Sequence, residues 1–579
     1  MKDSMILSKN TRLAFDDNCM NRNICVIGSP GSGKTHSFVK PNILAMAGAG
    51  HSMVISDTKG NLSRKYGKYL EAKGYDVKVF DLIDTERSLS YEPFDYIHSE
   101  RDVLTFASIL VKPSHSHEPY WDNMARQYIQ ALIAYVCLEK HGYPRRFATI
   151  LDLFSCESYR EEYKKESSCK SIIAELMEQA ELENPSSFAA RAYKFYLKVK
   201  GSGVTDSSIL STVSEKLLPY TSSAIQRLFD KNEIDFKAVG DKKTAIFVSV
   251  SDNDRSLDTI ASLFFSQLLN SLVVHADQDC DDFRLPVPVD FIIDDFGTQT
   301  VIPDFDKLIA SLRSRNISVS IILQSVSQLR TAYGTAADTI IACCDTQLYF
   351  GGSDIKTIEY ASKRADVPQY EIMNIPRWKV WVFRRCKEPL LDSCYRLETH
   401  PEHSATAEYD KTGLYLSPKR PAELVPVNVL GSMKKMLRYD KLMGASAFEY
   451  VAGKAFHHLY GKVSIERSKV LEHTGIISYS FMAKVYGSRV LVMFESRKQL
   501  LDEYYFTRFI TPLLGHYKYE ADHFVLMSFS GFTKEEIEYA NERKITLIDR
   551  TGLEGNQTAF INPSAFNDIQ TVKLYHVKR

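Results

Sequence analysis

The chain has 579 residues, of which 44% are hydrophobic and 25% charged, and its 72 lysines and arginines balance 72 aspartates and glutamates. Such a length exceeds what one hydrophobic core serves and predicts roughly three or four domains. Zero net charge excludes a protein coated in basic residues, though not a basic channel compensated on the outside. Ten cysteines with no CxxC pair exclude a metal knuckle or disulfide framework and point to a reducing cytoplasm. The apolar runs at 129–138 and 262–275 are too short or too interrupted by polar groups to cross a bilayer. The Met-Lys-Asp start is no secretory signal. A protein soluble by itself is expected.

Along the chain, apolar runs at 24–27, 53–56 and 77–80 alternate with helical stretches at 34–47 and 62–73. This alternation predicts a parallel sheet with crossover helices. Between about 100 and 235 the strand signal vanishes. Helical spacing at 120–141, 159–180, 187–197 and 207–217 predicts an inserted all-α domain. Strands return at 245–250, 289–293, 318–323, 346–350 and 379–384. A stretch rich in Pro, Lys and His follows and reads as an extended linker. The residues from 437 onward carry their own α/β pattern. The expected organisation is therefore a sheet domain in two parts (1–98 and 239–388), an all-α insertion (99–238), a linker (389–436) and a C-terminal domain (437–579).

Gly28-Ser29-Pro30-Gly31-Ser32-Gly33-Lys34-Thr35 fits GxxxxGK[ST] and lies between an expected strand and an expected helix. Glycines there let backbone N–H groups curl around a phosphate, and the helix N-terminus adds favourable partial charge. Lys34 is expected to reach the β- and γ-phosphates of ATP, and the Thr35 hydroxyl to ligate Mg2+. The run 289–293 ends in Asp294-Asp295, the form of an acid strand that completes such a site. Asp294 is expected to hold the metal through water, and Asp295 to orient or activate the attacking water. Gln324, at the end of 318–323, is placed as a γ-phosphate sensor, or else as a strand cap. Arg313 and Arg315 are candidate fingers into a neighbouring subunit's site; pairing with surface acids is their alternative.

These residues resemble the type IV coupling proteins, the DNA-pumping ATPases of conjugation and type IV secretion. Ser56-Asp57-Thr58-Lys59-Gly60 looks like that family's D-x-K-G turn. Ser90-Tyr91-Glu92-Pro93-Phe94 is similar to its S-x-x-x-NP segment, with Glu92 where asparagine is usual. Tyr120-Trp121-Asp122-Asn123-Met124-Ala125 resembles the start of its helical domain. Ile293-Asp294-Asp295-Phe296-Gly297, Arg313-Ser314-Arg315-Asn316 and Gln324-Ser325-Val326-Ser327-Gln328 follow in family order. The resemblance, over about 21–387, implies a RecA-like P-loop core in a homo-hexamer, with ATP between subunits. It also implies a cargo of single-stranded DNA with its relaxase, or of protein effectors, delivered to components of a type IV secretion channel. Family members normally carry transmembrane helices ahead of the motor, and here Gly28 arrives too early for them. Either a separate membrane anchor protein docks the chain at the inner face of the cell membrane, or it is a soluble relative with a different address. The rival readings are a soluble motor of the FtsK or HerA type in mobile-element maintenance or defence, and a non-catalytic ATP-binding scaffold.

The C-terminal region resembles Mrr-like restriction endonuclease domains at 445–452, and again from Phe529-Ser530-Gly531 through Ile548-Asp549-Arg550. Where an active enzyme carries metal-binding acids and a lysine, this chain has Ile477 or Ser478, Met493 and Glu495. Apolar side chains cannot ligate a hard cation. The expectation is an α/β nuclease-like fold without cleavage. Lys462, Arg467, Lys469 and Lys484, near Tyr479, Tyr486 and Phe494, read as solvated surface charge, with phosphate contact as the alternative.

Overall fold

The computed structural model describes residues 4–16, 20–111, 120–139, 144–158, 172–199, 203–251, 253–298, 300–406 and 415. Toward the C-terminus it describes 463–473, 476–485, 488–495, 523–528, 534–542 and 545–548. The chain divides into two compact units, one of 1–138, 146–148 and 195–424, the other of 139–145, 149–194 and 425–579.

The first unit is built on a nine-stranded sheet. Its strands in chain order are β3 (Ile24–Ile27), β4 (Ser52–Asp57), β5 (Asp76–Asp81), β6 (Thr244–Ser249), β7 (Val289–Ile293), β8 (Ile317–Leu323), β9 (Thr346–Tyr349), β10 (Lys379–Arg384) and β11 (Leu390–Ser393). They lie side by side as β11-β10-β9-β3-β8-β7-β4-β6-β5. From β9 to β5 every pairing is parallel, whereas β10 runs antiparallel to both β9 and β11. Every residue of β3, β4, β6, β7, β8 and β9 is buried. Layers covering both faces explain why these strands read as unbroken apolar runs instead of alternating ones. The described element bounds match the sequence expectations to within a residue or two at most sheet positions, and at β3, β7 and β10 they coincide.

A short hairpin, β1 (Ser4–Ile6) with β2 (Arg12–Ala14), precedes the sheet. The Asn42 amide ties it to the first crossover helix, accepting from Ile6 N–H at 2.6 Å and donating to Ile6 C=O at 2.9 Å. The expectation of linker from 389 onward fails at its start, because β11 is the edge strand of the sheet. Asp392 holds it there, accepting from the Ser8 hydroxyl at 2.6 Å and from Asn10 N–H at 2.9 Å. The helix Asp258–Gln278 is the one described helix long and apolar enough to cross a membrane, and it is largely buried within the fold. Its Phe264 stacks on Phe80 of β5 with ring centroids 4.7 Å apart. Inserted helices of this unit include Glu100–Leu110, opened by a reciprocal Ser99/Asp102 capping box, Tyr120–Leu138 and Gly203–Leu217.

The segment 90–94 joins the sheet to the insertion. Tyr91 N–H donates to Leu228 C=O at 2.7 Å and Glu233 N–H to Ser90 C=O at 3.0 Å, so the chain leaving β5 is laced to the chain returning toward β6. Glu92, 3% exposed, accepts from the N–H groups of Phe94 and Phe147 at 3.0 and 3.1 Å.

In the second unit, β12 (Val463–His473), β13 (Ile476–Val485) and β14 (Ser488–Glu495) form an antiparallel meander. β15 (His523–Ser528) and β16 (Ile545–Ile548) extend it in parallel, connected by the helix Lys534–Glu542. Ser478 and Glu495, which the nuclease resemblance sets at metal-binding positions, are Cα partners across β13 and β14. The expected first helix at 445–452, with Lys462 and Tyr486, lies outside the described residues.

Candidate nucleotide site

Parallel strands put their carboxyl ends on one edge. With Ile27 opposite Leu323 and Ile293 opposite Ile321, the residues that follow β3, β8 and β7 converge there. These are Gly28, Gln324 and Asp294, three of the positions singled out in the sequence. Asp57 ends β4 on the same edge and accepts from the N–H groups of Asn61, Leu62 and Ser63 at 3.1, 2.7 and 3.1 Å, opening the next helix. Burial pushes its carboxyl up despite those donors.

The loop 28–35 is an open cradle. Gly31 and Gly33 are left-handed, φ +77° and +94°, a conformation that disfavours any side chain. At Gly28 a Cβ would meet Ser32 Oγ at 2.6 Å and Phe350 Cβ at 2.9 Å. Gly28 N–H donates to Leu323 C=O at 3.1 Å and Ser29 N–H to Gly351 C=O at 2.9 Å, pinning the loop to the strand ends on either side. The helix it opens begins with a π-helical turn, Thr35–Val39, a departure that recurs at functional sites. Lys34 turns its ammonium back onto the loop, donating to Gly28 and Ser29 C=O at 2.5 and 3.1 Å. Burial lowers its pKa, while the nearby Asp294 and Asp295 charges oppose that shift. The Ser32 hydroxyl is buried without a hydrogen-bond partner. A half-buried cation, a buried hydroxyl lacking an acceptor and side-chain-free glycines fit a polyanion at this spot.

Across the site, burial first and the Asp295 charge second push Asp294 up to about 6. Two carboxyls crowded this way fit a divalent cation, whose charge favours both ionised forms. Asp295 itself is left-handed, φ +47°, and Thr298 holds that turn by donating its N–H and hydroxyl to Asp295 C=O at 3.1 and 2.7 Å. Gln324 donates to Asp295 Oδ1 at 2.9 Å, and Gln328 donates to Gln324 Oε1 at 3.4 Å. Gln328 was given no role from sequence. It lies one helical turn beyond Gln324, its own N–H accepted by the capping Ser325 hydroxyl at 3.2 Å.

Arg313 and Arg315 are not brought to this edge. They form a turn ahead of β8, at its amino end, about 20 Å away by strand length. Arg315 is committed within the chain, donating through Nε and Nη2 to both Asp277 oxygens at 2.7 Å. The alternative of an acid partner thus holds for Arg315.

A glycine cradle after one strand, and an acid pair two strands away across a strand ending in glutamine, define a RecA-like P-loop nucleoside triphosphatase. Residues 3–365 match the family described as Type IV secretory system Conjugative DNA transfer, and the chain belongs to that family. Among solved structures it is similar to the bacterial conjugative coupling protein TrwBdeltaN70 with sulphate, at 16% identity and TM-score 0.47, over 67% of this chain and 89% of that one. It is likewise similar to the plasmid coupling protein TrwB in complex with ADP and Mg2+, at 16% identity and TM-score 0.46, over 68% and 89%. A third likeness is to VirB4 of Thermoanaerobacter pseudethanolicus, at 14% identity and TM-score 0.39, over 69% and 98%. No curated protein matches the chain.

Proposed function

We propose that this member of the conjugative DNA transfer family is an ATP-driven motor. It delivers single-stranded DNA with its relaxase, or protein effectors, to a type IV secretion channel. The observation that carries the reading is the convergence of the phosphate loop, Asp294, Asp295 and Gln324 on one sheet edge. The N–H groups of Gly31 and Gly33 and the Ser32 hydroxyl line the phosphates, Gly28, Ser29 and Pro30 shape the loop that presents them, and Lys34 leaves its two carbonyls to neutralise the phosphate charge. Thr35 and Asp294 hold Mg2+, and ATP with that ion supplies the phosphoanhydride whose cleavage drives movement. Asp295 orients water, and Gln324 fixes the Asp295 carboxylate. Assembly is a homo-hexamer in which Arg313 or Arg315 is the candidate finger into a neighbour's site, Arg315 only on release from its Asp277 pair.

Stimulation of ATP turnover by single-stranded DNA tests the motor. A folded preparation that binds no nucleotide would sink it. Gln328→Ala separates support from chemistry: kcat falls about fivefold, the effect of one neutral hydrogen bond, while ATP affinity stays within about twofold. Equal kcat in variant and wild type would remove Gln328 from the site.

For the second unit, the meander followed by two parallel strands supports a Mrr-like nuclease fold, and the residues at 477, 478, 493 and 495 support inactivity. Full-length protein incubated with plasmid and Mg2+ or Mn2+ is expected to leave supercoiled DNA intact. Nicking that follows the protein through purification overturns this.

A further inference from the structure

Trp378 has a left-handed backbone, φ +67°. For a bulky residue this conformation costs about 1–2 kcal/mol, and such strain gathers at ligand sites when the surroundings enforce it. Here they do. Trp378 is the third residue of a tight turn closed by Lys379 N–H donating to Pro376 C=O at 3.1 Å, the place where glycine is usual. Cys394 N–H, from just past β11, fastens the Trp378 carbonyl at 2.7 Å. The turn feeds β10, antiparallel to β9, and therefore lands on the carboxyl edge beside the phosphate loop.

The indole lies against that loop. Its Cζ3 is 3.8 Å from where a Gly33 Cβ would stand. The His36 ring approaches edge-on at 5.7 Å, and His36 Nε2 is 3.5 Å from the Glu398 carboxylate. Arg377 places its guanidinium 5.6 Å from the indole centroid. Even so, the residue stays 38% exposed, a large apolar surface in strained backbone that no core demands.

Strand order gives it a direction. β3 has β8 and β7, with Gln324, Asp294 and Asp295, on one side, and β9 and β10, with Trp378, on the other. A nucleotide whose terminal phosphate meets the acids must extend its nucleoside the opposite way, past His36 and over β9 and β10. We propose that Trp378 is the platform on which the nucleobase stacks, with Arg377 bringing positive charge close to the ring. This rests on the nucleotide-site reading above and adds to it a residue that touches the base and not the phosphates.

The test is equilibrium binding of a non-hydrolysable ATP analogue and of inorganic tripolyphosphate, each with Mg2+, to the full chain. Wild type is expected to bind the analogue at least about tenfold tighter than tripolyphosphate, the scale of one aromatic–base stack. Trp378→Ala loses about that factor for the analogue and stays within about twofold for tripolyphosphate. Trp378→Phe keeps most of the preference. Trp378→Gly, which relieves the left-handed strain, matches the alanine variant in binding while melting no lower than wild type, so the loss cannot come from unfolding. Unchanged analogue affinity in Trp378→Ala, or equal losses for both ligands, overturns the platform and leaves the phosphate-loop reading standing. Wild type that binds neither ligand overturns that reading, and the platform with it.

Discussion

Lys34→Ala reduces DNA-stimulated ATP hydrolysis by about a thousandfold or more. One preorganised donor in an active site contributes about 3–4 kcal/mol to the transition state, and here the donor is a full cation. Lys34 now donates to two loop carbonyls and faces the carboxylates of Asp294 and Asp295. Alanine leaves the two acids with no opposing charge on the loop. Stability should barely change, because Lys34 is half-buried and its burial carries a cost of its own. Phosphate release measured at saturating ATP, beside thermal melts of both proteins, checks both statements. Turnover within tenfold of wild type would remove Lys34 from catalysis, and the motor assignment with it.

Why these groups were legible from sequence is a matter of locality. The phosphate loop is one contiguous strand-to-helix turn, and Asp294-Asp295 and Gln324 each end an apolar run. Finding them needed only the rule that parallel strands share a carboxyl edge. β3, β7 and β10 were legible at their bounds because covered strands leave unbroken apolar runs. β11 was not. Leu390-Leu391-Asp392-Ser393 is short and has two exposed leucines, and its place is fixed by Ser8 and Asn10, more than 380 residues away. The hairpin strands β1 and β2 are three residues each, too brief to show a period. Trp378 and Gln328 gave no signal, since a lone aromatic in a turn and a glutamine on a helix are ordinary. Only the registry of β9 with β10 and the Ser325 cap give them a site to belong to.

The buried Glu92 carboxyl has a measurable cost in pH range. Burial pushes this carboxyl up to about 8, with the N–H groups of Phe94 and Phe147 only partly opposing it. Its second oxygen is buried with no hydrogen-bond partner, so neutral protein keeps the group protonated. Unfolded chain releases that proton near the ordinary glutamate value of 4.5. Between that value and about 8 the folded state therefore holds one proton more, and each rise in pH favours unfolding. The stabilisation is complete below 4.5 and is lost by the time pH has risen through about 8, at up to about 1.4 kcal/mol per pH unit. Glu92→Gln keeps an acceptor for both N–H groups and cannot titrate. Its unfolding free energy should fall less steeply than wild type between pH 6 and 8.5 by about 2–3 kcal/mol in total, read from urea midpoints of the full chain. Glu92→Leu should lie about 2–4 kcal/mol below Glu92→Gln at every pH by leaving two buried donors unmet. Parallel pH profiles for wild type and Glu92→Gln would mean that Glu92 is ionised in the fold. Its hold on Phe147 would then rest on charge, and Arg146, a cation whose charge acts on it, would be the residue to remove next.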